Sequence, residues 1–438
     1  MKKRVFAFLS VFVLLFLSAC GAAPTETKET APSIAPQTAV SETEPASTKN
    51  YPAITSTVTR EMLREIPVAT PEMTEDELRD ICVRYMALQQ SVVWTPDADL
   101  SYYCDTAASA DRDGNINLPA GRRYAGMPYS KAAQDLEGFL DYLDEKTAVL
   151  PVAQFKSNAG DVFGNHCTTS TFWAWARISS TYSVVGNSRF VLSNGFNPLG
   201  DYALRDVEKY DETYDTFTAV AENGQQTMYR AYALFKPASG MFSFRNGTVG
   251  HARMAQENAV VVKNADGTIN GDESYVNVIE QVSVVDETQN EDGKVYAIGK
   301  VGKKYSFEEL YRTGYLPFEI SELCGKATVQ KPRIELSFRE GDPFSAILEG
   351  EVTSNYAISR VDLSFVKADG SPAYEAFKLG YGNDGGNEPH SRIVRISEIL
   401  NSLLVKRKLT SGENYTMKLT VRLGNGETFT PFEGKVTA

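Results

Sequence analysis

The chain has 438 residues and a formal net charge of −12, from 44 basic and 56 acidic side chains. A chain this acidic is unsuited to nucleic acid or to an anionic membrane surface, so we expect neither as a direct partner. Its length fits about two globular domains once the N-terminal segments are set aside.

Residues 1–19 have the pattern of a secretory signal peptide. Three basic residues at positions 2–4 precede an apolar run over residues 5–17, which is too short to cross a bilayer. The run ends in Leu17-Ser18-Ala19-Cys20, which resembles a bacterial lipobox. That resemblance implies that Cys20 becomes a diacylated N-terminus. The protein would then be extracytoplasmic and attached to the bacterial cell membrane only through this lipid.

Residues 20–50 are rich in Ala, Pro, Thr, Ser and Glu and contain almost no large apolar side chains. A segment of this composition cannot bury enough apolar surface to fold. We therefore predict a disordered tether between the lipid and the folded part of the chain.

Four cysteines follow Cys20, which is too few for a disulfide scaffold. If Cys167 is a working thiol, at most one bridge can form among Cys82, Cys104 and Cys324. Of the possible pairs, Cys82–Cys104 closes the shortest loop.

The region after the tether predicts helices first. A capping-box motif from Thr74 to Glu77 indicates the start of one helix, and apolar residues at helical spacing over 133–143 predict another. Residues 149–155 are predicted to be a short connection. Residues 185–226 lose any clear period, so we expect a long loop or an inserted lobe there.

Strands are predicted further along the same region, over 228–235, 241–245, 250–255 and 260–262, with a turn at 264–267. The clearest strand runs over 275–285, where alternate positions form a row of valines that only Glu280 interrupts. A carboxylate on an apolar face needs a partner, because burying an unpaired charge is strongly unfavourable.

From Arg333 the pattern changes to short strands separated by Asp-Gly and Asn-Gly turns. Strands are predicted over 334–338, 346–352, 359–366, 415–423 and 428–436, with a short helix over 396–404. This pattern is typical of an immunoglobulin-like β-sandwich. We therefore predict an α+β domain over 51–328 and a sandwich domain over 329–438, with the boundary near 325–331.

The residues that can carry chemistry are centred on Cys167. A Gly164-Asn165 turn precedes it, and the apolar residues that follow at helical spacing predict a buried helix beginning at or just after the cysteine. The hydroxyl side chains of residues 168–170 suit the first turn of a helix. A thiol at a helix N-terminus lies at the positive end of the helix dipole, which favours the thiolate.

The order Cys167, His251, Glu280 combines a nucleophile, a base on a strand and an orienting acid on a neighbouring strand. In such a set the imidazole takes the thiol proton and the carboxylate fixes its tautomer. The backbone N–H of Cys167 would be an oxyanion donor. His166 is a turn residue, or it lowers the thiol pKa or contacts substrate. Cys167 and His251 also fit purely structural roles.

Three segments resemble the NlpC-type and CHAP-type cysteine peptidases and amidases of bacterial cell walls. They are Gly-Asn-His-Cys-Thr-Thr-Ser at 164–170, Gly-His-Ala-Arg-Met at 250–254 and Val-Ile-Glu-Gln at 278–281. The resemblance covers residues 151–285. It implies a papain-like fold and a Cys-His-Glu mechanism that cleaves peptide or amide bonds of peptidoglycan, with its stem peptides as the partner and no cofactor.

The chain departs from these families at several points. His166 stands where they have an acidic residue, and Val282 stands where CHAP domains have an asparagine. The spacings from Cys167 to His251 (251 − 167 = 84) and from His251 to Glu280 (280 − 251 = 29) are long. A catalytically inactive cell-wall binding lipoprotein that retains the fold is therefore an alternative.

Two further alternatives fit less well. A solute-binding lipoprotein of the transport type needs repeated βαβ units, which the pattern does not show. A transglutaminase-like fold has the same order of residues, but its usual His-Ala-Trp motif is replaced by His-Ala-Arg at 251–253. We predict no metal site, because the acidic run at 111–115 lacks the closing glutamate of a calcium loop, with Arg122 near that position.

Overall fold

The computed structural model describes residues 60–104, 110–159, 163–180, 197–203, 215–245, 249–290, 293–380, 392–399, 405 and 407–438. The predicted signal peptide, Cys20, the tether and most of the predicted insertion over 185–226 lie outside these residues. The described part is a mixed α+β protein with several sheets. Within it, no helix is both long enough and apolar enough to span a membrane.

The helices are α1 (Arg60–Arg64), α2 (Glu75–Ser91), α3 (Leu136–Leu140), α4 (Val152–Ala159), α5 (Cys167–Ala176), α6 (Thr216–Asn223), α7 (Gln225–Tyr232), α8 (Phe307–Arg312), α9 (Pro343–Leu348) and α10 (Ile396–Ile399), with a 3-10 turn at Ser321–Cys324.

The strands up to residue 319 are β1 (Val93–Pro96), β2 (Leu100–Tyr103), β3 (Asn115–Leu118), β4 (Tyr124–Ala125), β5 (Val149–Leu150), β6 (Asn197–Pro198), β7 (Gly240–Arg245), β8 (Val249–Ala255), β9 (Tyr275–Asn290), β10 (Gly293–Ser306) and β11 (Leu316–Glu319). Those that follow are β12 (Ile334–Ser337), β13 (Glu351–Ser354), β14 (Ile358–Val366), β15 (Pro372–Leu379), β16 (Ile393–Arg395), β17 (Asn414–Leu423) and β18 (Thr428–Thr437).

A nine-stranded sheet organises the first part of the chain, with the order β5-β1-β4-β10-β9-β8-β7-β11-β6. Its central strands β7, β8, β9 and β10 are antiparallel to one another, whereas β10 pairs with β4 in parallel. Helices α2 and α5 pack on each other and on strands β8 and β9. The predicted helix after Thr74 is thus α2, and Thr74 and Glu77 form the capping box at its start.

Two tryptophans fix the orientation of α5. The indole N–H of Trp173 donates to the carbonyl of Ala133 at 2.7 Å, and that of Trp175 donates to the carbonyl of Ala238 at 3.0 Å. The Trp175 ring lies against Gly240 so closely that a Cβ there would meet it at 2.5 Å. Because α5 is anchored on both sides, the position of its first residue, Cys167, is also fixed.

The last part of the chain forms two further sheets, β12-β13-β16 and β15-β14-β17-β18. A hydrophobic cluster of its own fills this part, and its buried members begin at Phe344 and end at Val436. The cluster of the first part extends to Val329 and includes Ala357. The domain boundary near 325–331 and the immunoglobulin-like assignment stay predictions.

The strand predicted over 228–235 is wrong, because helix α7 occupies most of it. Its buried residues Met228, Tyr229, Ala231 and Tyr232 are spaced by one, two and one positions, which places them on one helical face. The same residues do not alternate, as a half-buried strand requires.

Three other local predictions also need correction. The first half of the strand predicted over 346–352 is the end of α9, a helix capped by Asp342 with Pro343 in its first turn. Residues 149–155, predicted as a connection, contain β5 and the start of α4. In the strand predicted over 260–262, Val260 forms an isolated bridge with Tyr275.

Candidate active site

Cys167 is the first residue of α5, and the residues before it determine where this helix begins. His166 is the N-cap residue: its Nδ1 accepts from the backbone N–H of Thr168 at 3.3 Å, and its own N–H donates to Thr169 Oγ1 at 2.9 Å. Gly164 has φ +74°, and a Cβ there would lie 2.2 Å from the carbonyl oxygen of Pro128. The turn therefore requires glycine, and it delivers the thiol to the positive end of the helix dipole.

The thiol of Cys167 is unbridged and buried. Cys82, Cys104, Cys167 and Cys324 are all free, so the Cys82–Cys104 bridge considered from the sequence is not formed. Cys167 is only 3% exposed, whereas the side chain of His251 is 24% exposed. A substrate would thus reach the thiol from the imidazole side.

His251 on β8 and Glu280 on β9 form a direct pair. The distance from His251 Nε2 to Glu280 Oε2 is 2.7 Å. Since Met254 pairs with Ile279, residues 253 and 280 are adjacent across the two strands and His251 lies two residues further along. With Nε2 engaged by the carboxylate, Nδ1 is left for the thiol.

Glu280 is 1% exposed, yet its carboxylate is well supplied with donors. Arg253 Nε donates to Oε2 at 2.7 Å, and the Tyr305 hydroxyl donates to Oε1 at 2.6 Å. Burial favours the neutral acid, but the hydrogen bond from His251 and the charge of Arg253 hold the pKa of Glu280 well below its usual range. Glu280 is therefore a carboxylate, and its place in the valine row is explained by these partners.

The thiol and the imidazole shift each other toward the charged forms. Burial favours the neutral thiol, but the charge of His251 and hydrogen bonding to His166 and His251 hold the pKa of Cys167 well below its usual range. Burial likewise opposes the imidazolium, while Tyr315, Cys167 and Glu280 raise the pKa of His251 well above its usual range. The pair is thus stabilised as thiolate and imidazolium, the reactive form of a cysteine nucleophile.

Sequence reasoning missed three side chains of the site: Tyr129, Arg253 and Tyr305. Burial, and then the proximity of the Cys167 thiol, raise the pKa of the Tyr129 hydroxyl. Tyr129 is held beside the turn by its bridge to Asn165. Arg253 could have been found, because it lies two residues after His251 on one strand and so on the same face. The contact of Tyr305 depends on the β9–β10 register, which the sequence does not reveal.

Buried amide side chains support the turn before Cys167. Asn165 Nδ2 donates to Gln89 Oε1 at 2.9 Å, and Gln89 Nε2 donates to the carbonyl of Ser170 at 2.9 Å. Gln281, next to Glu280 on β9, donates instead to the carbonyl of Met127 at 2.9 Å. The first two bonds tie α2 to the turn and to α5, and the third ties β9 to the loop between β4 and α3.

Among the described residues, no group of three or more His, Cys, Asp or Glu side chains is arranged to hold a metal ion. The arrangement can form a thiolate, move a proton through His251 and donate hydrogen bonds from Cys167 N–H and Tyr129 to a developing oxyanion. This is the set of groups required for acyl transfer through a thiol.

No protein-family model matches the chain, and no curated protein matches it. The chemistry of Cys167, His251 and Glu280 is therefore the basis on which a function can be assigned.

Proposed function

We propose that the protein is a thiol hydrolase that cleaves peptide or amide bonds of peptidoglycan through Cys167, His251 and Glu280. One observation carries the proposal: a thiol at a helix N-terminus interacts with a histidine whose other nitrogen lies 2.7 Å from a buried carboxylate. Structural cysteines have no need of such partners, whereas a cysteine nucleophile requires them.

In the first half-reaction, the Cys167 thiolate attacks the carbonyl carbon of the scissile bond. The electron pair moves to the carbonyl oxygen, where the Cys167 N–H and the Tyr129 hydroxyl can donate to it. His251 then gives its proton to the leaving nitrogen as the C–N bond breaks. An amine leaves and a thioester to Cys167 remains.

In the second half-reaction, the neutral imidazole of His251 takes a proton from water as the water oxygen attacks the thioester. Collapse of the tetrahedral intermediate releases a carboxylic acid and regenerates thiolate and imidazolium. Glu280 holds the ring orientation and stabilises its charged form throughout, without itself becoming protonated.

The choice of peptidoglycan stem peptides as substrate rests on the sequence resemblance of residues 164–170, 250–254 and 278–281 to cell-wall enzymes. By the same resemblance we propose a papain-like arrangement for the α+β domain. For residues 329–438 we propose an immunoglobulin-like sandwich, which the two sheets of β12–β18 support.

Attachment through a lipid on Cys20 would place this activity at the outer face of the cell membrane. The Cys20→Ala variant should lose metabolic lipid labelling and be released to the medium or left unprocessed. Retention of the label in that variant would remove the lipoprotein assignment while leaving the proposed chemistry open to its own test.

A second candidate is a catalytically inactive wall-binding lipoprotein. The 3% exposure of Cys167 favours it, because a nucleophile must be reached by its substrate. This candidate predicts binding to purified wall with no change in its covalent structure.

The deciding experiment incubates purified peptidoglycan with wild type, Cys167→Ala and Cys324→Ala proteins and identifies the products by mass spectrometry. Cys324 is the control, because it is also unbridged but is remote in sequence, and burial raises the pKa of its thiol, whereas the histidines lower that of Cys167. New termini should be released by wild type and Cys324→Ala only. Release by Cys167→Ala would end the thiol mechanism, and binding without release by any protein would favour the second candidate.

A further inference from the structure

Arg253 binds the same carboxylate oxygen of Glu280 as His251 does. Cys167, His251 and Glu280 are called the triad below. Its Nε donates to Glu280 Oε2 at 2.7 Å, and His251 Nε2 lies 2.7 Å from the same oxygen. The two cations therefore bind the same oxygen, and both residues lie on β8, two positions apart. The side chain of Arg253 is 11% exposed, so water screens this interaction only weakly.

Two tyrosines hold the Arg253 guanidinium in place. Its central carbon lies 3.7 Å from the ring centroid of Tyr305 and 4.2 Å from that of Tyr315. Its Nη1 is buried without a hydrogen-bond partner among the described residues. Among those described residues, the carboxylate bound to this guanidinium is that of Glu280.

The four groups form a chain of alternating charge. A Cys167 thiolate, a His251 imidazolium, the Glu280 carboxylate and the Arg253 guanidinium sum to zero. Without Arg253 the buried group would carry a net charge of −1, and an unbalanced charge in a site of low dielectric is unfavourable.

We propose that Arg253 is a positioning residue that balances the charge of the buried triad and so sets the pH range over which Cys167 is a thiolate beside a charged His251. The assignment of nucleophile and base rests on the proposed function. The reactivity of the thiol, however, can be measured without any wall substrate.

The direction of the effect follows from electrostatics. Removal of a positive charge favours the protonated form of every nearby group, so the pKa of Cys167 and that of His251 should both rise. At separations of roughly 5–8 Å and an effective dielectric constant near 20, a unit charge shifts a pKa by about 1.5 to 2.5 units. The other titratable groups facing the set are Tyr305 and Tyr315 around Arg253, and His166 and Tyr129 around the thiol.

The test is the rate of alkylation of Cys167 by iodoacetamide in the full chain as a function of pH, with the modified peptide quantified by mass spectrometry. The pH profile of wild type should have two limbs. The rate rises in the first limb as the thiolate forms, and it changes again in the second limb as His251 loses its proton. Both should move up by about 1.5 to 2.5 units in Arg253→Gln. In Arg253→Lys, which keeps the charge, both should stay near their wild-type positions.

Arg177→Gln is the matched control. Arg177 is also buried, stacks over the Tyr85 ring at 4.8 Å and donates to Glu137 at 2.8 Å, but it lies at the opposite end of α5 from Cys167. Its loss should lower stability and leave both limbs in place. Movement of the limbs in this control, or unmoved limbs in Arg253→Gln, would overturn the proposal. So would an equal shift in Arg253→Lys and Arg253→Gln.

If Arg253→Gln alone does not fold, a second pair of variants, Glu280→Gln with and without Arg253→Gln, provides the same test. In Glu280→Gln the negative charge is absent, so both limbs should move down; adding Arg253→Gln should move them up again. No difference between these two variants would overturn the proposal. Shifted limbs with no release of wall products would retain the role of Arg253 while rejecting the proposed hydrolase.

Discussion

The two hydrophobic clusters of the chain bury different kinds of side chain. The cluster of the first part surrounds charged residues that include Arg79, Arg177, Glu280 and Glu319. In the described residues after 330, the buried polar side chains are Ser354, Ser359 and Asn425, and none carries a charge. Apolar packing is sufficient to build a folded unit, so the buried charges of the first part call for another explanation.

Two kinds of buried charge must be separated within the first part. Arg79 and Glu319 pair at 2.8 Å, and the guanidinium also binds two backbone carbonyls, which ties α2 to the chain near the 3-10 turn. Glu280 instead binds a histidine, and that histidine interacts with a thiol. The first arrangement joins elements of the fold, whereas the second places ionisable groups where protons can move. The difference is expected if the second region, residues 331–438, serves the fold alone and the proposed chemistry belongs to one site of the first region, residues 60–330.

The largest expected effect concerns Glu280. Glu280→Ala leaves Arg253 and His251 buried without their carboxylate, which should lower the free energy of unfolding by about 3–5 kcal/mol. Glu280→Gln keeps the shape and some hydrogen bonds, so it should be less destabilising while still moving the pH profile of Cys167 alkylation to lower pH. Urea unfolding of both variants measures the difference. Equal stability of Glu280→Ala and wild type would contradict a buried charge cluster.

A core substitution in the second region should act on stability alone. Leu419 on β17 is fully buried, so Leu419→Ala should cost about 2–5 kcal/mol through lost burial and a residual cavity. The alkylation rate of Cys167 should be unchanged under native conditions. A slower or faster alkylation would show that the two regions are energetically coupled at the site.

The same variant also tests the predicted domain boundary. All three tryptophans, Trp94, Trp173 and Trp175, lie in the first region, whereas far-UV circular dichroism reports both regions. If the region after 329 unfolds independently, the dichroism change in Leu419→Ala should begin at a lower urea concentration than the fluorescence change. Coincident transitions would argue for a single cooperative unit.

Asp135 in the first region faces Arg422 in the second, and we expect its titration to make stability depend on pH. Burial raises the pKa of Asp135 to about 6, although Arg422 at 3.6 Å opposes the shift. A raised carboxyl pKa means that the folded state binds this proton more tightly than the unfolded state, whose pKa is about 3.9. The stabilisation from this proton is therefore fully present below about pH 3.9 and is lost as the pH rises through about 6.

Asp135→Asn should remove this dependence. Between about pH 4 and pH 6.5, wild type should lose on the order of 2 kcal/mol that the variant does not lose. Asparagine is also a good N-cap residue, so the bond that Asp135 accepts from the backbone N–H of Gly138 at 3.0 Å can be kept. Urea unfolding at a series of pH values compares the two proteins. Parallel pH profiles would mean that Asp135 is not protonated in the folded state.

Local features of the site were predictable from the sequence, and long-range ones were not. A glycine turn, a capping residue and apolar spacing locate the start of the Cys167 helix, and strict alternation locates the strand of Glu280. The strand predicted over 228–235 failed because a short apolar segment fits either period when its burial is unknown. The contacts of Tyr129 and Tyr305 bring together residues 38 and 25 positions apart (167 − 129 and 305 − 280), so they follow only from the fold.

The smallest expected effect concerns a charge pair of the second region. Asp362 accepts from the Arg360 guanidinium at 2.7 Å, but the Asp362 side chain is 41% exposed. An exposed pair is screened by water and salt, so Asp362→Ala should lower the free energy of unfolding by less than about 1 kcal/mol. Arg360 also keeps its contact with Asp141 at 3.0 Å and its position over the Phe377 ring, so its charge is not left without a partner.

The small loss should shrink further in high salt, whereas the loss in Glu280→Ala should persist because that site is shielded from ions. Urea unfolding at low and high salt therefore distinguishes the two regions. A salt-independent loss as large as that of Glu280→Ala would mean that the second region also depends on its charges, and the contrast between the two regions would no longer hold.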